Sequence, residues 1–313
     1  MKFNTITTLL VLSLYATSTY AQDEPQKSWN KQSKKGVILI PKWETDSVYT
    51  LHITDITTDR SVGPQKIDTA SYDLICKMVS SSRANYDIQF TYTHVKISKT
   101  SSNPIEHLLA SIEDMPFNLN YKVGDEVGDE LTNNYGLQKL KAMLKKSLDE
   151  LIKAEPKDSY LAQAYTYLTE KMSTTYIIEL LCEHFQSYIA PYGPQYHPNI
   201  QEKLWKPYWF PLTRSVSVVN AETLLKESPD KSSYTLTQDI TPFSPKEIDL
   251  FTRHFYATAD KKIDPTNILW QLTETTSHTI DANSSIISNV HIVQDIYIGP
   301  FNRLLVRDIV LVK

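Results

Sequence analysis

The side chains best suited to contact a ligand lie in one aromatic, proline-rich stretch between Tyr188 and Phe210. Aromatic rings offer large contact area with few torsions to freeze, and proline lowers the flexibility of a loop that carries them. If the stretch is exposed, it forms a platform for sugar rings, peptide or lipid. Alternatively, it folds down and its rings cover the core at the end of the preceding helix. The predicted ligand-binding residues are Tyr192, Tyr196, Trp205, Tyr208 and Trp209.

Motifs for catalysis or metal binding are absent from the sequence. The acidic run around Asp125 and Asp129 has paired carboxylates, which glycosidases use, but it lacks the ligand spacing of a calcium loop. It predicts a solvated hairpin turn. The eight histidines are scattered, and neither a His-Glu-x-x-His helix nor a Gly-x-Ser-x-Gly elbow occurs. We therefore predict no catalytic residue, metal or cofactor. A hydrolase assembled from distant segments stays open if His184 or His197 meets both a carboxylate and a nucleophile.

The two cysteines, Cys76 and Cys182, leave their pairing open. Cys76 alternates with Leu74 and Met78 on what reads as the buried face of a strand, and Cys182 lies in an apolar helical segment. The pattern favours two buried thiols that act as small hydrophobic side chains. In an oxidising compartment a disulfide is the alternative.

Composition excludes some classes of partner. The net charge of −4 disfavours nucleic acid, because phosphate binding requires clustered positive charge. Only 7 of the 313 residues are glycine, and phosphate-cradling loops depend on glycine for close backbone approach. Nucleotide chemistry is therefore disfavoured as well.

The first residues read as an export signal. Lys2 precedes a short apolar run, and small residues precede a cleavage point near Ala21. We predict a signal peptide over 1–21, a disordered leader over 22–35, and a single α+β domain over 36–313. The apolar run is too short to span a membrane, so no transmembrane segment is predicted. The expected location is secreted or periplasmic.

Period-two alternation of apolar with polar or β-branched residues predicts many strands. The early strands are Val37–Ile40, Ser47–Thr58, Tyr72–Val79, Asp87–Ser98, Phe117–Val123 and Val127–Thr132. The later ones are Arg214–Val219, Ser233–Asp239, Leu269–Asp281, Ile286–Ile298 and Arg303–Val312.

Leucines at three- and four-residue steps predict an amphipathic helix over Asn134–Ala154. A second long helix is predicted over Ser159–Ile189, with Asp158 or Ser159 as its cap. A third is predicted near Pro245–Ala257, where a capping box coincides with proline at the first helical position. We expect Pro191–Pro211 to be irregular.

Strands that flank a helical pair without regular βαβ alternation predict an α+β fold. The segment Phe117–Leu151, a strand, a Val-Gly-Asp-Glu turn, a strand and a leucine-spaced helix, resembles a family of secreted Gram-negative proteins of unknown function. It is also loosely similar to the half-barrels of periplasmic lipoprotein carriers. This resemblance implies a curved antiparallel β-sheet, half-barrel-like, packed against two main α-helices around an apolar cavity. It implies no catalytic residue.

We therefore predict an exported, non-enzymatic protein that binds an apolar or amphipathic, lipid-like ligand. The alternative is a cell-envelope structural or adhesion protein that binds another protein.

Overall fold

A wide antiparallel sheet dominates the computed structural model of the protein. Among the residues that the structure describes, ten strands form this curved sheet and four helices accompany it. The structure describes residues 36–60, 64–82, 84–101, 103–124, 134–170, 174–210, 215–241, 270–298 and 301–312. The α+β class and the curved antiparallel sheet predicted from the sequence are confirmed.

The first four strands of the sheet form a meander. They are β2 (Val48–Asp59), β3 (Lys66–Ser82), β4 (Asn85–Ile97) and β5 (Phe117–Lys122). Each is antiparallel to the strand before it. A separate two-stranded ribbon joins β1 (Val37–Ile38) to β6 (Gln195–Tyr196).

The helices lie mainly between the two halves of the sheet in chain order. Helix α1 (Pro104–Ser111) connects β4 to β5 and begins where Asn103 Oδ1 accepts a hydrogen bond from the backbone N–H of Ile105 at 3.1 Å. The others are α2 (Asn134–Ala154), α3 (Tyr160–Glu170) and α4 (Thr174–Ile189). At the start of α3, Ser159 Oγ accepts from the N–H of Ala162 at 3.0 Å, as expected of an N-cap.

A second meander completes the sheet. It comprises β7 (Gln201–Phe210), β8 (Ser215–Glu227), β9 (Ser233–Thr241), β10 (Trp270–Asp281), β11 (Ile287–Ile298) and β12 (Phe301–Val312). The last of these, β12, also pairs with β2, so the two meanders meet in the middle of the sheet. The strand order is β5-β4-β3-β2-β12-β11-β10-β9-β8-β7.

One face of the sheet, the inner face, carries the core and lies against α4. On β2 and β3 it presents the buried side chains of Leu51, Ile53, Tyr72 and Leu74. Its aromatic centre surrounds Phe185 of α4. Contacting rings have centroids 4.9 to 6.3 Å apart, and the rings packed there are Trp43, Tyr86, Phe90, Tyr121, Phe185 and Tyr192. Tilted and edge-to-face pairs of this kind add stability beyond the area that they bury.

The structure corrects two local predictions. The stretch Pro191–Pro211, expected to be irregular, contains β7. Pro207 weakened the strand pattern in the sequence, but β7 is an edge strand of the sheet. Proline is tolerated in edge strands because its missing N–H need not bond to a neighbouring strand. Helix α1 was not predicted at all, although Asn103-Pro104 is a helix-start signal. The bounds of α2 agree with the prediction.

Several predictions fall outside the described residues. These are the signal peptide and leader, the strand Val127–Thr132 and the helix Pro245–Ala257. The predicted long helix Ser159–Ile189 is described as α3 and α4, and residues 171–173 between them lie outside the described part.

Candidate functional site

Five buried polar side chains follow one line across the inner face, which we call the polar row. Strand register places Thr223 of β8 beside Gln238 of β9, and Gln238 beside Thr276 of β10. Farther along, Arg307 of β12 lies beside Asp55 of β2, and apolar Ile292 separates the two groups. The polar row is Thr223, Gln238, Thr276, Arg307 and Asp55, all buried. Buried polar groups cost stability unless they are hydrogen-bonded, so such a line requires an explanation.

The charged end of the row is a paired ion cluster. Arg307 donates from Nε to Asp55 Oδ1 at 2.8 Å and from Nη2 to Asp55 Oδ2 at 2.9 Å. Its Nη1 donates to Oε1 of Glu183, on helix α4, at 2.9 Å. This two-pronged arginine–carboxylate geometry is the strong form of the interaction. It ties α4 to the two strands that join the halves of the sheet.

A histidine and a tyrosine extend the cluster. His184 Nε2 lies 3.2 Å from Asp55 Oδ2 and also contacts the hydroxyl of Tyr72. Asp55 and Tyr72 therefore both contact the same ring nitrogen of His184. The other ring nitrogen of His184, Nδ1, is buried and has no hydrogen-bond partner among the described residues.

Electrostatics favour ionised carboxylates and a neutral phenol in the cluster. Burial alone would raise the pKa of Asp55, but the charge of Arg307 and the hydrogen bond from His184 outweigh it and hold that pKa well below its usual value. Glu183 behaves in the same way, and Arg307 is the main cause of its lowered pKa. Burial, together with the negative charge of Asp55, raises the pKa of Tyr72. The phenol is therefore neutral at neutral pH.

This geometry is not that of a nucleophile relay. In a Ser-His-Asp relay the carboxylate and the nucleophile contact different ring nitrogens. Here Asp55 and Tyr72 both contact Nε2 of His184, and Nδ1 contacts neither. The arrangement thus lacks the two-nitrogen geometry of a relay and joins α4 to β2 and β3.

The neutral part of the row joins a further polar pair on the same face. Gln294 Nε2 donates to Glu274 Oε2 at 3.0 Å, and the Thr276 hydroxyl lies 3.4 Å from Glu274 Oε1. Apolar side chains surround these groups on the inner face of β8 to β11. They are Ala221, Leu225, Leu236, Ile240, Ile280, Val290, Ile292 and Ile296, all buried.

The predicted ligand-binding residues separate into two sets. Tyr192 and Tyr196 are buried, and the Tyr192 hydroxyl donates to the backbone oxygen of Ser285 at 2.8 Å. Both rings are part of the core, as in the alternative interpretation of the aromatic stretch. The backbone of β7 carries the other three, but their side chains are outside the described part of the chain. Ligand binding by Trp205, Tyr208 and Trp209 stays a prediction.

The other groups named in the sequence analysis lie apart from the row. Cys76 and Cys182 are buried free thiols, and burial raises the pKa of both. His197 Nδ1 pairs with Glu202 Oε1 at 2.6 Å, without a nucleophile among its described contacts.

A second polar cluster occupies the opposite, outer face of the sheet. Asp73 of β3 accepts from His52 Nδ1 at 2.6 Å and from His94 Nδ1 at 2.7 Å. His94 sits at an irregularity of the β3–β4 pairing with a positive φ of 54°, which directs its ring towards Asp73. Both histidines are exposed.

Within the described residues, no three His, Cys, Asp or Glu side chains group as a metal site. None of the described helices is both long and apolar enough to cross a membrane.

Comparison with known proteins does not identify a family for this chain. No protein-family model and no curated protein matches the chain, so membership of the secreted Gram-negative family stays a prediction. A solved structure of lipid–protein interactions in lipovitellin superimposes with a TM-score of 0.41 at 10% identity. The match covers 86% of this chain and 25% of that one. At this TM-score the similarity carries no argument about function.

Proposed function

We propose that this protein binds an apolar or amphipathic, lipid-like ligand against the inner face of its sheet, without catalysing a reaction on it. We further propose that it does so outside the cytoplasm, as a secreted or periplasmic protein. The observation that carries the proposal is the polar row, which lies among buried apolar side chains on the inner face. Ligand sites combine such a lining with a few well-placed polar groups.

A face that served only as a core would not need this row. The buried hydroxyls of Thr223 and Thr276 and the amide of Gln238 occupy positions where valine and leucine would pack without polar atoms. Thr223 Oγ1 donates to the backbone oxygen of Glu202 at 3.3 Å, and Thr276 Oγ1 lies 3.4 Å from Glu274 Oε1. A hydroxyl that donates one hydrogen bond can still accept another, in this case from a ligand. Their alignment in register over three neighbouring strands suits the polar part of an amphipathic guest. The apolar side chains beside them on β8 and β9, Ala221, Leu225, Leu236 and Ile240, suit its hydrocarbon part.

The ion cluster positions α4 against the inner face, where we propose that the ligand binds. Arg307, Asp55 and Glu183 fix α4 against the junction of the two meanders. The same helix also contacts β10, where His278 Nε2 lies 3.0 Å from the backbone oxygen of Ser187.

Native purification followed by extraction with organic solvent and mass spectrometry tests the proposal. We expect a co-purifying lipid, and we expect the stripped protein to bind cis-parinaric acid, a fluorescent long-chain fatty acid. Absence of both signals would refute lipid binding. A stable protein partner found by cross-linking in cells, with no lipid, would favour the structural or adhesion alternative.

A matched pair of variants locates the site. Thr276→Val removes a buried hydroxyl from the polar row, and Thr275→Val makes the same change one residue earlier, on the outer face. Loss of one hydrogen bond predicts roughly 2- to 10-fold weaker binding of the probe for Thr276→Val. Thr275→Val should leave binding unchanged. Equal effects of the two variants would contradict an inner-face site.

A further inference from the structure

A second arginine on the inner face of β12 lacks the partners that Arg307 has. Arg303 precedes Arg307 by four residues, so strand alternation places both side chains on the same face. Its Nη2 donates to the hydroxyl of Thr57 at 3.2 Å. Its Nε is buried and has no hydrogen-bond partner in the part of the chain that the structure describes.

The contrast with Arg307 is one of charge balance. Arg307 makes three hydrogen bonds to two carboxylates, Asp55 and Glu183. No described carboxylate forms an ion pair with Arg303. Burial lowers the pKa of Arg303, yet an arginine side chain stays protonated in proteins. Arg303 is thus a half-buried positive charge with a buried Nε and no ion-pair partner among the described carboxylates.

The acidic groups near Arg303 are already engaged. Glu106 of α1 is buried, and its two oxygens accept from Ser101 Oγ at 2.6 Å and from Asn103 Nδ2 at 3.0 Å. Asp55 and Glu183 bind Arg307. Asp59, the strand-register neighbour of Arg303, has an exposed side chain. None of these carboxylates supplies the missing contact to Nε.

The chemistry of the missing partner follows from the guanidinium and its surroundings. A planar guanidinium matches two oxygens of one carboxylate or phosphate. Next to it on the inner face lie two apolar side chains, Ile296, its register neighbour on β11, and Leu305. A positive charge at the border of an apolar face suits a molecule that carries an anionic group at the end of a hydrocarbon chain.

We infer that Arg303 binds the anionic headgroup, a carboxylate or a phosphate, of the lipid-like ligand, a step that rests on the function proposed above. The headgroup oxygens accept from Nε and the neighbouring guanidinium nitrogen, and the hydrocarbon chain begins against Ile296 and Leu305. Ligands of this class are fatty acids and lipids with an exposed monoester phosphate.

Competition against cis-parinaric acid tests the inference on the wild-type protein. Oleate and oleyl alcohol share one hydrocarbon chain and differ at the headgroup. Because hydrogen bonds to charged groups contribute more than neutral ones, we expect oleate to bind about 10- to 100-fold more tightly than oleyl alcohol. Equal affinities would overturn the headgroup role while leaving lipid binding intact, whereas failure of both to bind would overturn the proposed function itself.

Variants assign the preference to one side chain. Arg303→Gln should abolish the preference for oleate and leave the affinity for oleyl alcohol unchanged. Arg303→Lys keeps the positive charge but loses the planar pair of N–H donors, so it should retain part of the preference for oleate. The control is Arg60→Gln, because Arg60 is exposed and already paired with Asp295; it should keep the full preference. Near-ultraviolet circular dichroism verifies that each variant is folded.

Two results would contradict the inference even with folded variants. The first is an unchanged oleate preference in Arg303→Gln. The second is displacement of oleate by inorganic phosphate at similar concentrations, which would show that the guanidinium binds small free anions and not a lipid headgroup.

Discussion

The ion cluster around Arg307 predicts a large and specific cost for neutralising Asp55. Asp55→Asn keeps the size of the side chain but removes its charge, which leaves Arg307 with Glu183 as its remaining carboxylate partner among the described residues. Removing one partner of a buried ion pair costs about 3–5 kcal/mol. Asparagine retains one oxygen as an acceptor, so we expect a loss near the lower limit, about 3 kcal/mol.

Urea denaturation at neutral pH, followed by far-ultraviolet circular dichroism, measures this loss. Asp308→Asn is the matched control. Asp308 pairs with His291 at 2.7 Å, but both side chains are 45% exposed. Exposed pairs contribute about 0–1 kcal/mol, so the control should lose at most that amount.

The pH dependence provides a second readout with a defined sign. The pKa of Asp55 is lower in the folded protein than in the unfolded chain, so its contribution is present above the unfolded value of about 3.9 and is lost as the pH falls further. The stability difference between wild type and Asp55→Asn should therefore shrink below about pH 4. A difference that matches the control, or one that does not change on acidification, would refute the role of the cluster.

Three further predictions concern other parts of the molecule. Gly193 and Gly124 both have positive φ, but a Cβ on Gly193 would lie 2.6 Å from the Gly124 Cα, whereas a Cβ on Gly124 would come no closer than 3.9 Å to the Gly193 Cα. Gly193→Ala should therefore destabilise more than Gly124→Ala in urea titrations, and the reverse order would contradict the close approach. Cys76 and Cys182 should react slowly with a thiol reagent in the native protein and fully in urea; an intact mass lower by two hydrogens would instead reveal a disulfide. Asp73→Asn should lower the free energy of unfolding by less than about 1 kcal/mol, because the partners of Asp73, His52 and His94, are exposed. A loss as large as that of Asp55→Asn would contradict this.

Much of the fold could be predicted because long strands and one helix carry regular patterns. Leu51 and Ile53 alternate with polar residues along β2, and the leucine spacing of α2 gave its bounds correctly. The failures have local causes. Helix α1 is only eight residues long, too short for its periodicity to stand out, and β7 contains a proline that an edge strand tolerates.

The polar row could not be assembled from sequence because its members come from distant strands. A signal did exist: Asp55 continues the apolar phase of Leu51 and Ile53, and Arg307 lies between Leu305 and Ile309 in the same way. A charge in the apolar phase of a strand indicates a buried charge. Only the pairing of β12 with β2 shows that these two charges are partners.

The central position of β12 has a consequence for how the chain folds. Asp55 and Arg307 are direct neighbours although 252 residues separate them in the chain, and β12 emerges from the ribosome after every other described strand. Contacts between such distant segments form slowly, since a long loop must close first. Until β12 is synthesised, β2 and β11 each have one edge of unpaired backbone amides and carbonyls. Unpaired strand edges of this kind can pair with other chains and so promote aggregation. A polypeptide that ends before residue 301 should therefore aggregate instead of forming a smaller stable sheet.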